Sequence, residues 1–150
     1  MATLTTEVEI RWDGNNPPTI VQKAAEVADT YFRGGIAHTT AGLLQLTPTA
    51  TENPAGVIMG LASGVDNPVA IADLIWIAVT GRFFFAFAGA LDADEGEGVS
   101  MPAAALFDNP ADLVVNAAGT AGQLGILDHI ASTAVSGWVN LSRRSAPTNI

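Results

Sequence analysis

The chain contains no cysteine. Disulfides, thiolate metal sites and a cysteine nucleophile are therefore excluded. Positive charge is scarce: six Lys and Arg face fifteen Asp and Glu, for a net charge of −9. Lys23 is the single lysine, and Arg143-Arg144 is the only basic pair. Nucleic-acid binding through phosphate neutralisation needs clustered Lys and Arg, so that class is not expected. Charge of either sign is also thin, at 14% of 150 residues against roughly 25% in an average soluble domain. Long apolar runs are missing as well. Leu74–Val79 and Phe83–Ala88 reach about six residues each, where a membrane helix needs about twenty. The opening MATLTTEVEI has neither a basic start nor an apolar core, so no signal peptide is expected.

Hydrophobic residues make up 49% of the chain. With so little charge to cover a solvated surface, part of that surface is expected to be apolar and covered by a partner. The plainer alternative is that Ala and Gly inflate the apolar share. An acidic body repels its own copies at long range. Assembly would then rest on short-range apolar contact and main-chain pairing.

Leu4, Val8, Ile10 and Trp12 alternate with Thr5, Glu7, Glu9 and Arg11, the pattern of a half-buried strand. Asp13-Gly14-Asn15-Asn16-Pro17-Pro18 then breaks the chain. This predicts an N-terminal strand or arm over 1–19 and a body over 20–150. The arm is either an ordinary first strand or a segment pairing with a neighbour's sheet edge. Thr19–Ala28 fits helix and strand alike. From Tyr31 onward, short apolar runs alternate with turn residues: Tyr31–Thr40, Leu43–Thr47, Val57–Ala62, Leu74–Thr80, Arg82–Ala88, Leu124–Ile130 and Gly137–Leu141. The expected fold is mainly β, a small barrel or sandwich of short antiparallel strands. Leu74–Val79 is apolar on both faces and should be central or covered by another subunit. Gly81 suggests a bend within one long hairpin. A short helix is expected from Asn109 as cap, with Pro110 at its first position and Gly119 as terminator; the rival is a strand at Leu113–Asn116.

Catalytic chemistry finds little support. His38 and His129 are too far apart in sequence to read as a paired zinc motif. Gly-x-Ser-x-Gly is absent, and the glycines of Gly119–Gly125 fit neither a dinucleotide fingerprint nor a phosphate loop. The acidic cluster at 92–97 invites a calcium ion, but Glu97 stands where a calcium loop needs glycine. A solvated hairpin tip is the better account. No cofactor, no metal and no enzymatic activity are expected. Phe83, Phe84 and Phe85 cannot all face one way on a strand, and an outward aromatic makes a good interface anchor.

A succession of landmarks runs along the chain: Ala28-Asp29-Thr30-Tyr31-Phe32-Arg33-Gly34-Gly35-Ile36-Ala37-His38, then Ala55–Ala62, Ile77–Phe83, Glu97-Gly98-Val99-Ser100, Leu124–Leu127 and Gly137-Trp138-Val139-Asn140-Leu141. Together they span roughly 20–142. This succession resembles the small decoration, or cement, proteins of tailed-phage capsids. The resemblance implies a β-barrel or β-tulip fold. It implies a homotrimer on the outer capsid surface of the virion, made in the host cytoplasm, bridging copies of the major capsid protein without cofactor or catalysis. Trp76, Phe84 and Trp138 are expected in the trimer contact. Val8, Ile10 and Trp12 are expected against the capsid. Both sets follow from residue pattern rather than from a family motif. A tail or fibre subunit, or a soluble binding or hydrolytic β domain, are the alternatives.

Overall fold

A computed structural model describes residues 4–46, 53–87, 95–96, 98–100, 109–116, 123–130 and 136–143. The chain is mainly β. Its strands are β1 (Ile20–Ala24), β2 (Ile36–Thr40), β3 (Leu43–Gln45), β4 (Asn53–Leu61), β5 (Leu74–Ala78), β6 (Arg82–Ala86), β7 (Gly98–Ser100), β8 (Val114–Asn116), β9 (Gln123–Ile130) and β10 (Ser136–Asn140). They form two five-stranded antiparallel sheets. The first has the order β1-β5-β4-β2-β3, the second β6-β10-β9-β7-β8. Each sheet is thus drawn from one contiguous half of the sequence.

The expected antiparallel β class holds, but among the described residues no closed barrel forms. The first sheet curls until its outer strands touch at a single parallel bridge, Ala25 with Leu44. The Leu44 carbonyl accepts the Glu26 amide at 2.8 Å and the Tyr31 hydroxyl at 3.1 Å. One bridge fastens the edges without making a ladder. Gly81 is the second reason. It does not bend a hairpin, because β5 and β6 lie in different sheets. At φ +115 it turns the chain from one sheet to the other, and a Cβ there would meet Pro18 Cα at 2.9 Å.

The curl gives the first sheet two buried faces. Inside it, Leu44, Ala55, Ile58, Ile75, Ile77, Val79 and Tyr31 form one core. On the other face, Ile36, Val57 and Ala78 meet Phe83, Phe85, Val99, Leu127 and Val139 of the second sheet in another. This accounts for the unbroken apolar run at Leu74–Val79: odd positions enter the curl, and Ala78 faces the second sheet. The expected helix at Asn109 is a single 3₁₀ turn, Pro110–Asp112, with the Asn109 side chain accepting the Ala111 amide at 3.0 Å. The cap is as expected, but β8 begins two residues after that turn and ends the helix.

Phe83 and Phe85 are buried with ring centroids 6.2 Å apart, while Phe84 points the opposite way and is half-buried. Phe85→Ala should therefore cost about 3–5 kcal/mol in urea unfolding, and Phe84→Ala clearly less. Tyr31 gives a second expectation. Burial first, and the carboxylates of Asp29 and Glu26 next, push its phenol well above the ordinary tyrosine value. Above about pH 10 the unfolded chain loses this proton while the folded chain keeps it, so the contribution of Tyr31 to stability is constant below that pH and falls as pH rises beyond it. Tyr31 is the only tyrosine, so tyrosinate absorbance reads it directly. The absorbance should appear together with unfolding, and Tyr31→Phe should flatten this part of the slope.

Candidate functional site

The residues expected to make contacts fall on three places. The first is the outer face of the first sheet. There β1 and β5 pair with Ile20 opposite Ala78, Gln22 opposite Trp76 and Ala24 opposite Leu74. Directly paired residues share a face, so Ile20, Leu74 and Trp76 belong to the face whose other end, at Ala78, is covered by the second sheet. Beyond that cover they are open: Ile20 is 41% exposed, Leu74 40% and Trp76 38%. Trp76 has Gly60 as its partner on β4, so no side chain flanks its indole there. The result is an uncharged, mostly apolar strip, with exposed Gln22 beside Trp76.

The second place is the outer face of the second sheet. Phe84 and Trp138 are paired across β6 and β10 and meet edge to face, with centroids 5.4 Å apart. The Arg11 guanidinium lies 4.8 Å from the Phe84 centroid and 5.2 Å from that of Trp138, and Arg82 lies 4.9 Å over Trp138. These are distances at which a cation is attracted to a ring face. The two arginines differ in their other partners. Arg82 pairs with Asp13 at 3.2 Å and with Asp128 at 3.3 Å. Asp128 also accepts from the Asn140 side chain at 3.1 Å. It is the residue skipped where the β9–β10 register shifts, which puts an extra carboxylate on the outer face. Arg11 is exposed and has no carboxylate partner among the described residues. Trp76 is therefore not gathered with Phe84 and Trp138; the expected trimer residues lie on two different sheets.

The third place is the N-terminal segment. The expected alternation is present: Leu4, Val8 and Ile10 are half-buried, while Thr5, Glu7, Glu9 and Arg11 are exposed. The expected strand is not. The segment makes one isolated bridge, Trp12 with Phe83. The Asp13 amide donates to the Arg82 carbonyl, and the Phe84 amide to the Arg11 carbonyl, both at 2.9 Å. Upstream it leaves β6 and crosses to the first sheet, where the Val8 amide donates to the Arg33 carbonyl at 2.8 Å. Ile10 packs on the core between the sheets. The segment is thus a strap across the open side of the sandwich, laid on its own chain. Val8 and Ile10 are turned into the body, and Trp12, 40% exposed, is the expected capsid-contact residue it presents most openly.

Between strap and β6 lies a cleft of about 390 Å³. Val57, Phe83, Phe85 and Pro110 help to line it, and Glu9 and Arg11 belong to the strap side.

Sequence pattern marked the aromatics but missed Arg11, Arg82, Ile20 and Leu74 as their companions. Arg82 directly precedes the phenylalanine run, which was a usable signal. The Arg11–Trp138 meeting depends on long-range register, which no local pattern carries. Most of the acidic cluster at 92–97 lies outside the described residues. Glu95, in a described turn, has a carboxylate oxygen 3.4 Å from Nδ1 of exposed His129. His38 is buried in the first sheet, away from His129. Among the described residues no three His, Asp or Glu side chains gather as a metal set, and no helix is long and apolar enough to cross a membrane.

Gly34 is where the strap meets the first sheet. At φ +90, any Cβ there would strike the Val8 carbonyl and come within 2.8 Å of the Val8 Cβ. Gly34→Ala should lift the strap. Hydrogen exchange at the Val8 amide should quicken by about tenfold or more, while the Ile75 and Ile77 amides keep their protection.

No protein-family model matches the chain, and no curated protein matches it.

Proposed function

We propose that the chain is a structural virion protein that binds the outside of a phage capsid as a homotrimer and stabilises the shell by bridging major capsid proteins. The observation that carries this is the pair of separate outward surfaces. A bridging subunit needs one surface for its own kind and another for what it bridges. The strip of Ile20, Leu74 and Trp76 suits the first role. It is uncharged, and an acidic chain meets its own copies most easily through a surface free of charge. The second-sheet face, with Phe84, Trp138, Arg11 and the neighbouring Trp12, suits the shell. It combines the aromatic and arginine side chains enriched in binding hot spots with an unneutralised cation. This moves Phe84 and Trp138 from the trimer contact to the shell contact. Each shell contact need only be modest, because a trimer presents three at high effective concentration.

Sedimentation equilibrium and capsid-binding assays test both halves. The chain should run as a trimer, and Trp76→Glu should reduce it to monomer without unfolding it. Trp138→Ala should keep the trimer and weaken capsid binding by at least about tenfold. A monomeric wild-type chain that leaves the heat resistance of capsids unchanged would refute the proposal.

A further inference from the structure

The edge of β6 beside the strap is an unfinished ladder. Gly137 pairs with Phe85 and Val139 with Phe83 across β10. Arg82 and Phe84 use their main-chain groups on the opposite side, toward the strap. Strand alternation sends both main-chain groups of Ala86 that way too. There the ladder stops. The Phe84 carbonyl and the N–H and carbonyl of Ala86 have no hydrogen-bond partner among the described residues. The strap, which would continue the pairing, has turned away toward Gly34. The cleft it leaves has Val57, Phe83 and Phe85 along it. Ladder groups beside apolar side chains match an extended peptide better than a hydrocarbon, which would leave those groups unsatisfied.

Charge narrows the choice. Arg82, on the same face, is already met by two carboxylates. The Arg11 guanidinium lies close over Phe84 and Trp138, with its N–H groups uncommitted to any acid among the described residues. A guanidinium held beside rings with its N–H groups uncommitted can receive a carboxylate. Glu9, two residues away on the same exposed side of the strap, disfavours a second acid further along.

We propose that the β6 edge takes an extended segment of a partner protein by strand addition. The segment pairs with Phe84 and Ala86, seats an apolar side chain in the cleft and places one carboxylate on Arg11. This rests on the proposed function, and names the kind of segment that the shell-side face would hold. The sheet edge and Arg11 together define the ligand as a β-strand carrying a single acid beside apolar residues.

The probe is a blocked peptide, acetyl-Thr-Val-Thr-Val-Glu-amide, with a Gln-ended twin. It is titrated into the full chain to millimolar concentration while the Ala86 amide and the Trp138 indole resonances are followed. The Glu peptide should move both resonances and bind about tenfold more tightly than its twin. Arg11→Gln should make the two peptides equal. Ala86→Pro, which removes an N–H not used by β10, should abolish binding of both. The inference fails if neither resonance moves, if the twins bind alike to the wild-type chain, or if Ala86→Pro binds as wild type. It also fails if the same resonances move with protein concentration alone, because the edge would then belong to a second copy. A chain that still trimerises and binds capsids but ignores the peptide loses only this inference; one that binds the peptide but never assembles loses only the proposed function.

Discussion

The packing of Phe83 and Phe85 against Ile36, Val57 and Ala78 is the contact on which the molecule depends. The first sheet fills one face by curling around its own core, but its other face is apolar as well. Without a second layer, that face would meet water. Burying one phenylalanine side chain is worth roughly 1.5–3 kcal/mol before cavity effects, and each sheet alone lacks the surface to hide its aromatic or aliphatic half. The small side chain of Ala78 and the bare backbone of Gly56, where a Cβ would strike the Ala78 carbonyl, let β4 and β5 lie close enough to offer a smooth floor. The layers therefore define each other, and the strap and cleft sit at the side of that junction.

Much of this was legible from alternation alone. Seven strands fall where apolar runs stand between breakers, and the capping Asn109 announced its turn. The doubly apolar Leu74–Val79 signalled a strand with something on each side. What stayed hidden was long-range. Nothing local tells that Gly81 changes sheets, because a glycine between two apolar strands reads the same in a hairpin and in a crossover. Barrel closure depends on whether β1 and β3 meet along a ladder or at a point, and only tertiary register decides that. β7, Gly98–Ser100, carries a single large apolar residue, Val99, and so shows no apolar run of its own.

The surfaces repeat the lesson. Phe84 was legible as an outward aromatic, because neighbouring positions on a strand must oppose each other. Its distance from Trp76 was not legible, since the two lie on different sheets. Arg11 showed only as the polar phase of an alternating segment, yet it sits on a ring from the last strand of the fold. An acidic chain with five arginines places two of them on one aromatic pair, one saturated by acids and the other not. That asymmetry distinguishes a structural arginine from one available to a partner.

The order of the elements has a consequence for how the molecule is made. Strands β1 to β5 and β6 to β10 come from successive stretches, so the first sheet can curl shut around its own core while the second half is still being synthesised. The strap is translated before either, yet its resting place against Phe83 and Phe84 does not exist until β6 emerges. The strap, made before β6, is thus obliged to settle late, like a latch hung before its door.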